Sequence, residues 1–338
     1  GFDSRREVRY NNPILQIEES PLEEAVRNEL MDILRNVVKK KALTEGAPMS
    51  RYTTLGLGGP AELLCEISAA EQLPEILRAT ARLQVPVTLL GNGSNLLVRD
   101  GGLPGLTLHL GDGFAEVSQP VPLPDGRFAI TAQAGAPLAK LANVAADAAL
   151  AGLEFAAGIP GTVGGAVAMN AGAYGGEIRN AVLGVTCVTF QGEPAYYTAE
   201  QMAFAYRKSR LTDPDVPPEA AVTATFALTP GDGDAIRVAM REFNARRREK
   251  QPLNLPCCGS TFKRPKDGFA GPLIEQCGLK GFRVGGASVS TLHAGFLVND
   301  DNATAADYLR LISKVQQTVA EKTGVWLEPE VRIVGVDA

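Results

Sequence analysis

Histidine is nearly absent from this chain of 338 residues, which has only His109 and His293. That argues against imidazole-based catalysis and leaves acid–base work to other groups. Cysteine is sparse too. Cys65, Cys187, Cys257, Cys258 and Cys277 are odd in number, include no C-x-x-C pair and cannot build a disulfide framework. With so few ligands no metal site is expected, and the thiols read as ordinary reduced cysteines. No stretch supplies the ~20 apolar residues of a membrane helix; the least charged segment, 152–176, is rich in Gly and Ala and carries a Pro. The opening residues GFDSRREVRYNN lack an apolar signal core, so a cytoplasmic location is expected. Basic excess is missing as well: the net charge of −5 disfavours nucleic acid as a partner. What remains is a globular composition, 45% apolar and 21% charged, long enough for roughly two or three domains.

Several elements are legible from local chemistry. Ser20-Pro21-Leu22-Glu23 reads as a capping box with Pro at the first helical position, and Leu22, Val26, Leu30, Leu34 and Val37 continue at helical spacing. Lys39, Lys40 and Lys41 suit the negative end of that helix. A strand over 61–67, a helix capped by Ser68-Ala69-Ala70-Glu71 and running to about 83, and a strand over 85–90 form a crossover unit. Short apolar runs alternate with turns from 91 to about 228, with an Ala-rich helix over 136–150. The cluster Pro230-Gly231-Asp232-Gly233 marks a boundary, beyond which 235–250 reads as a helix ending in Arg246, Arg247 and Arg248, taken as a solvated basic face. Another helix lies within 302–323, with Thr304 and Asp307 at its start and Gly324 after it, and 331–334 reads as a last strand. The fold class is α+β.

Glycine, 36 residues in all, is concentrated rather than spread. The first concentration, Gly91-Asn92-Gly93-Ser94-Asn95, follows a strand, and its amides can form an anion-binding nest. It is neither G-x-G-x-x-G opening a helix nor a phosphate loop, because Leu96-Leu97-Val98 continues as strand. The second runs over 156–177 with almost no charge, which suits backbone packed against a large flat ligand better than a surface linker. Together they suggest a dinucleotide lying between them.

LGNGSNLLV, GIPGTVGGAVAMNAGAYG, AYRKSRL, GSTFKRP, HAGFLVN and WLEPEVR occur in that order, and the chain resembles the UDP-N-acetylenolpyruvoylglucosamine reductases over about 51–335. The spacing between Arg207 and Ser260 and the GFLVN after His293 look like the shorter of that family's two subtypes, which lacks an inserted loop over the substrate. The resemblance implies an FAD-binding fold of the vanillyl-alcohol-oxidase type, built from two α+β subdomains, and a C-terminal α+β substrate-binding domain. On that basis the chain divides into a leader (1–50), an FAD-binding part (51–230), a substrate part (231–330) and a strand (331–338) returning to the FAD-binding part. Gly91, Asn92, Gly93, Ser94 and Asn95 would hold the diphosphate. Gly158, Ile159, Pro160, Gly161, Val163, Gly164, Gly165, Asn170, Gly172, Ala173 and Gly175 would line the rest of FAD. The Gly-rich loop has Asn and Ser where many relatives of the fold attach the cofactor to His, so FAD is expected to be held without a covalent bond.

The resemblance further implies that NADPH reduces the flavin and that hydride then passes to the alkene of an enolpyruvyl ether, leaving negative charge that must be stabilised and protonated. Arg207 would pair with the substrate carboxylate through its planar fork. Glu330 at the same end makes sense only if it is protonated or bridged by Arg207, either of which would perturb its pKa. Ser260 would donate the proton, a weak acid matched by a strongly basic carbon acceptor. Tyr206, Lys250, Lys263 and Arg264 match positions near the substrate, with Lys250 neutralising its diphosphate. Cys257 and Cys258, just ahead of Ser260, could make the site sensitive to oxidation. The expected partners are a UDP-sugar enolpyruvyl ether and NADPH, bound by a monomer. Two other readings stand beside this one. A flavin oxidase of the same fold would lack the Arg207, Ser260 and Glu330 set, and a non-catalytic UDP-sugar-binding module is disfavoured by both Gly-rich segments being intact.

Overall fold

The computed structural model describes residues 21–338. A mixed sheet opens it, with Leu43–Pro48 antiparallel to Pro60–Glu66, and Pro60–Glu66 and Val87–Leu90 both parallel to Leu103–His109, which lies between them. The crossover unit therefore spans one strand, and that central strand is apolar almost throughout, as a parallel strand covered on both faces must be. Helices α1 (Glu24–Val37) and α2 (Gln72–Arg82) pack together and bury Leu30 and Leu34 from one, Leu73, Ile76 and Leu77 from the other.

Both expected helix starts need correction. Ser20 lies outside the described residues, and α1 begins at Glu24 rather than Pro21, with no side-chain cap. The amide of Leu22 is drawn off to Glu62 Oε1 at 3.0 Å, which ties the incoming chain to the sheet. In α2 the Ser68 cap is absent. Gln72 reaches back instead, its Oε1 accepting from the amides of Ser68 and Ala69 at 2.9 and 3.1 Å. Gln72 at the first helical position thus takes the Ser68 amide that the Glu71 side chain of a capping box would have taken.

The second sheet is antiparallel, in the order Pro194–Thr198, Val182–Thr189, Glu219–Pro230, Phe128–Gln133 and Val121–Pro122. Helix α3 (Leu138–Asp147) is shorter than the expected 136–150, because Pro137 is its N-cap and Ala149 adopts φ 53°. The short helix α4 (Val163–Ala168) forms inside the Gly-rich segment, started by Thr162, whose Oγ1 accepts from Gly165 N. Helix α5 (Gly233–Lys250) lies beyond the boundary expected at 230, yet its buried Ile236 and Met240 belong to the large core of the two sheets.

The last part holds a small sheet of Arg283–Val284, Ala287–Val289 and Leu297–Asn299, with helices α6 (Ala270–Gln276) and α7 (Ala305–Thr323). Thr304 and Asp307 make a reciprocal capping box on α7, and Gly324 ends it at φ 74°. Leu55, Leu57 and Leu97 join its core from the first part of the chain. Asp100 accepts from the first amides of α7, Ala305 N at 2.8 Å and Ala306 N at 2.9 Å. Finally Arg332–Val334 runs parallel to Leu96–Val98, placing the residues just before it against the Gly91–Asn95 loop. No helix among the described residues is long and apolar enough to cross a membrane.

Candidate active site

A cavity of ≈ 1420 Å³ runs between the Gly-rich segments and the last part of the chain, larger than the ~300–1,000 Å³ of an ordinary single-ligand pocket. Gly91, Asn92, Gly93, Ser94 and Asn95 line it, opposite Ile159, Pro160, Gly161, Gly164, Gly165, Gly172 and Ala173. The glycines are sterically required. A Cβ on Gly91 would sit 2.3 Å from Thr162 Oγ1, and one on Gly93, at φ +58°, would sit 2.1 Å from the Tyr52 carbonyl. With no side chain at these two positions, the loop can bring its main-chain amides close to a bound anion.

Four residues expected on this wall are not on it. Val163 is fully buried in the core, with its amide given to Ala136 O at 2.8 Å. Gly175, at φ +86°, turns the chain between Gly172–Ala173 and Gly176–Glu177. Gly158 backs onto Asn244 and Arg247. Asn170 is completely buried and has spent its amide within the protein: it donates to Glu177 Oε2 at 2.9 Å and Ala205 O at 3.0 Å, and accepts from Arg179 N at 3.0 Å.

Asn170 nevertheless acts on the cavity through the turn it holds. Ala205 and Lys208 exchange backbone hydrogen bonds of 2.9 and 3.2 Å, leaving Tyr206 and Arg207 at the corner. Arg207 takes φ 53°, where such a turn favours glycine, so its backbone is strained and must be held. Asn170 holds the near side, and Ser209 Oγ holds the far side by donating to Ala168 O at 2.8 Å. Asn170→Ala should remove three hydrogen bonds and leave the Arg179 amide without its acceptor, at a cost of ~1–3 kcal/mol. It should also lower kcat by about tenfold or more as Arg207 loses its placement. Urea midpoints and turnover at saturating substrate check the two effects.

Arg207, Ser260 and Glu330 converge on one end of the cavity and all three line it. Arg207 Nε donates to Glu330 Oε1 at 2.6 Å, and its second arm reaches Gly172 O at 3.3 Å. Their side chains are 21% and 14% exposed, a mostly dry ion pair. Burial pushes the Glu330 carboxyl above its usual range, while Arg207, Lys263 and a hydrogen bond with Tyr206 pull it back. Backbone pairing brings Ser260 alongside: Glu330 N donates to Thr261 O at 2.7 Å, and Lys263 N to Glu328 O at 2.8 Å. Asn95 Nδ2 donates to Glu330 O at 3.1 Å, joining the Gly-rich loop to the same point. The Ser260 hydroxyl has no hydrogen bond to the protein among the described residues and is free to meet a ligand.

Tyr206, Lys263 and Arg264 surround this end without lining the cavity. The Tyr206 hydroxyl accepts from Arg264 N at 3.3 Å, Lys263 Nζ pairs with Glu328 at 3.1 Å, and the Arg264 guanidinium lies 4.4 Å from the Phe269 ring centroid. Lys250, at the end of α5, is exposed and does not line the cavity, although the next residue, Gln251, does. Cys258 lines the cavity, but burial pushes its thiol up to about 12 and its sulfur meets Tyr308 Oη at 3.3 Å, so it is not a reactive thiolate.

Residues 61–195 match a family model described as FAD binding domain, and 251–334 match one described as UDP-N-acetylenolpyruvoylglucosamine reductase, C-terminal domain. The reductase of that name from Levilactobacillus brevis is 48% identical over 288 residues, covering 85% of this chain and 91% of its own length. The chain belongs to the UDP-N-acetylenolpyruvoylglucosamine reductase family. The reductase from Lactobacillus delbrueckii subsp. bulgaricus is 48% identical over 293 residues, 87% of this chain and 95% of the relative. The crystal structure of the Thermus caldophilus reductase superposes with a TM-score of 0.72 at 35% identity, over 86% of this chain and 98% of that one. This reductase is thus an FAD-binding oxidoreductase of α+β fold, and its family reduces UDP-N-acetylenolpyruvoylglucosamine in peptidoglycan synthesis.

Sequence reasoning missed three cationic residues on the wall, Arg99, Arg247 and Arg332; the first is paired with Asp337 at 2.7 Å. Arg332 follows Glu330 by two positions, and i, i+2 residues of an extended segment share a face, a signal that was available. Arg247 was assigned to a solvated basic run; Arg246 and Arg248 are exposed, but Arg247 is not.

Proposed function

We propose that this chain reduces UDP-N-acetylglucosamine enolpyruvate to UDP-N-acetylmuramate with NADPH as reductant, its 51–230 part carrying FAD and most of the remainder carrying the sugar nucleotide. The observation that carries this reading is the 2.6 Å Arg207–Glu330 pair with Ser260 beside it on the cavity wall. The residues present suit FAD. The Gly91–Asn95 amides can hold a diphosphate, and the wall from Pro160 to Gly165, with three glycines in six residues, can lie against a flat ring system. FAD, when bound, supplies the hydride for the alkene. It is held without a covalent bond, since no histidine lines the cavity and Cys258 is turned to Tyr308.

The protein's own part is electrostatic and positional. Arg207 offers the substrate carboxylate a permanent charge in a fork geometry, where negative charge accumulates as the alkene is reduced. Glu330, its pKa raised by burial and pulled back first by Arg207, orients the guanidinium. Ser260 holds a proton at Oγ for the carbon next to the carboxylate. Tyr206, Lys263 and Arg264 face the outer part of the substrate, and Lys250 its diphosphate. The test is an absorbance spectrum of the purified protein followed by anaerobic titration with NADPH and then the enolpyruvyl sugar nucleotide. Flavin absorbance should be bleached by the first and restored by the second. A colourless protein unable to take up FAD, or reduced flavin unresponsive to the sugar nucleotide, sinks the reading.

A further inference from the structure

Arg207 reaches the cavity from a strained turn, and such a turn keeps its shape only where both limbs are fixed. Asn170 fixes the incoming limb through Ala205 O. The outgoing limb passes Ser209 into the short helical turn Arg210–Thr212. Arg210 does not line the cavity; it grips the antiparallel sheet instead. Its Nε and Nη2 donate to the two carboxylate oxygens of Glu219, at 3.3 and 3.4 Å. Its guanidinium lies 4.1 Å from the Tyr197 ring centroid, and the Tyr197 hydroxyl donates to Glu219 Oε1. Glu219 opens the long strand Glu219–Pro230, and Tyr197 belongs to Pro194–Thr198 of the same sheet. The Arg210 amide adds a bond to Met202 O at 2.7 Å.

The Glu219 side chain is only 4% exposed. A carboxylate that dry is costly to hold, and replacing such a pair by apolar groups is often neutral or stabilising. Stability therefore explains the cluster poorly. What it supplies is direction: two N–H groups meeting two oxygens, with the cation over a ring, fix both the place and the tilt of a guanidinium. Lys208 gives the contrast inside the same turn. It pairs with Asp213 at 2.9 Å while half-exposed, a contact that solvent weakens. Arg210 is three residues beyond Arg207, so the rigid anchor stands at the foot of the strained turn.

We propose that Arg210 is a positioning residue, holding Arg207 where the enolpyruvyl carboxylate meets it. The inference rests on the role given to Arg207 above. Asn170 ties one limb of the turn to the Gly-rich segment, and Arg210 ties the other to the sheet. The φ of 53° at Arg207 is then imposed from both sides. Glu219 and Leu211 also line the cavity, so the anchor borders the ligand space without touching the Arg207 end through Arg210 itself.

The experiment reads each half-reaction by stopped flow on flavin-saturated full chains: wild type, Arg210→Lys, Arg210→Met, Arg207→Met and the double variant Arg207→Met with Arg210→Lys. Arg210→Lys keeps a charge beside Glu219 but gives up the fork. It should leave flavin reduction by NADPH within about twofold of wild type. Transfer to the enolpyruvyl sugar nucleotide should slow by about tenfold or more, as a displaced guanidinium requires. Arg210→Met should slow that step at least as much. In the double variant Arg210→Lys should cost less than about twofold beyond Arg207→Met, because a residue acting only through Arg207 has nothing left to act on. A merely structural pair would slow both half-reactions alike, or give losses that multiply in the double variant, and either result overturns the assignment. So does a second half-reaction of Arg210→Lys within about twofold of wild type. If Arg210→Met does not fold, Arg210→Lys and the double variant still decide. Wild type whose reduced flavin ignores the sugar nucleotide overturns the functional reading and this one together. Wild-type turnover with no split between the half-reactions in Arg210→Lys overturns this one alone.

Discussion

Ser260→Ala should bleach with NADPH at a rate within about twofold of wild type yet reduce the enolpyruvyl sugar nucleotide ~10²–10⁴-fold more slowly, the usual worth of a positioned proton donor. The two halves separate because Ser260 lies at the end of the cavity with Arg207 and Glu330, and its hydroxyl supports nothing else. It bonds to no protein group, so deleting it should change stability by no more than ~0.5 kcal/mol. Its neighbour Thr261 is the structural one, fully buried and tied by its backbone to Gly295 and Glu330 and by its hydroxyl to Leu297 N. Thr261→Val should therefore behave in the opposite way, costing stability more than chemistry. Stopped-flow traces of each half-reaction, with urea midpoints for both variants, make the distinction. A wild-type second half-reaction in Ser260→Ala would remove Ser260 from the mechanism.

What could be read before the fold was known depended on how local the cause was. Thr304, Asp307 and Gly324 act on neighbours within one turn, so α7 was legible to its ends. The start of α2 was not, because Gln72 supplies the cap from inside the helix, and the start of α1 depends on Glu62 in a strand. The Gly91–Asn95 loop announced itself through composition, but why its glycines are needed lies in Thr162 and Tyr52, which only the packed structure brings near. Arg207, Ser260 and Glu330 are chemically ordinary in isolation and were singled out by resemblance alone. Asn170 matched the same pattern for a different reason, as a brace for the Arg207 turn and not a cavity contact. Arg247 differs from Arg246 and Arg248 by its position around α5, and composition cannot see that.

Arg207→Met should cost ~10²–10³-fold in kcat, as expected for losing a preorganised charge at a developing anion, and Arg207→Lys should recover little of it, since an ammonium cannot reproduce the fork. The substitution also has a signature without substrate. The Glu330 carboxyl is already raised by burial, and Arg207 is the largest influence holding it down; removing the guanidinium must raise it further. A carboxyl whose folded value exceeds its unfolded one binds more protons in the folded state through that interval. Its contribution to stability is full below the ordinary 4.5 and is lost as pH rises through the folded value. Wild type and Arg207→Met should accordingly lie closest in Tm near pH ~5 and diverge toward pH ~8, where the variant has to ionise or carry an unpaired buried carboxylate. Adding Glu330→Gln to Arg207→Met should close that gap, because no proton remains to be lost. Parallel Tm–pH curves for the three proteins would mean that the 2.6 Å pair leaves Glu330 electrostatically indifferent to its partner, and the joint role given to the two residues would fall with it.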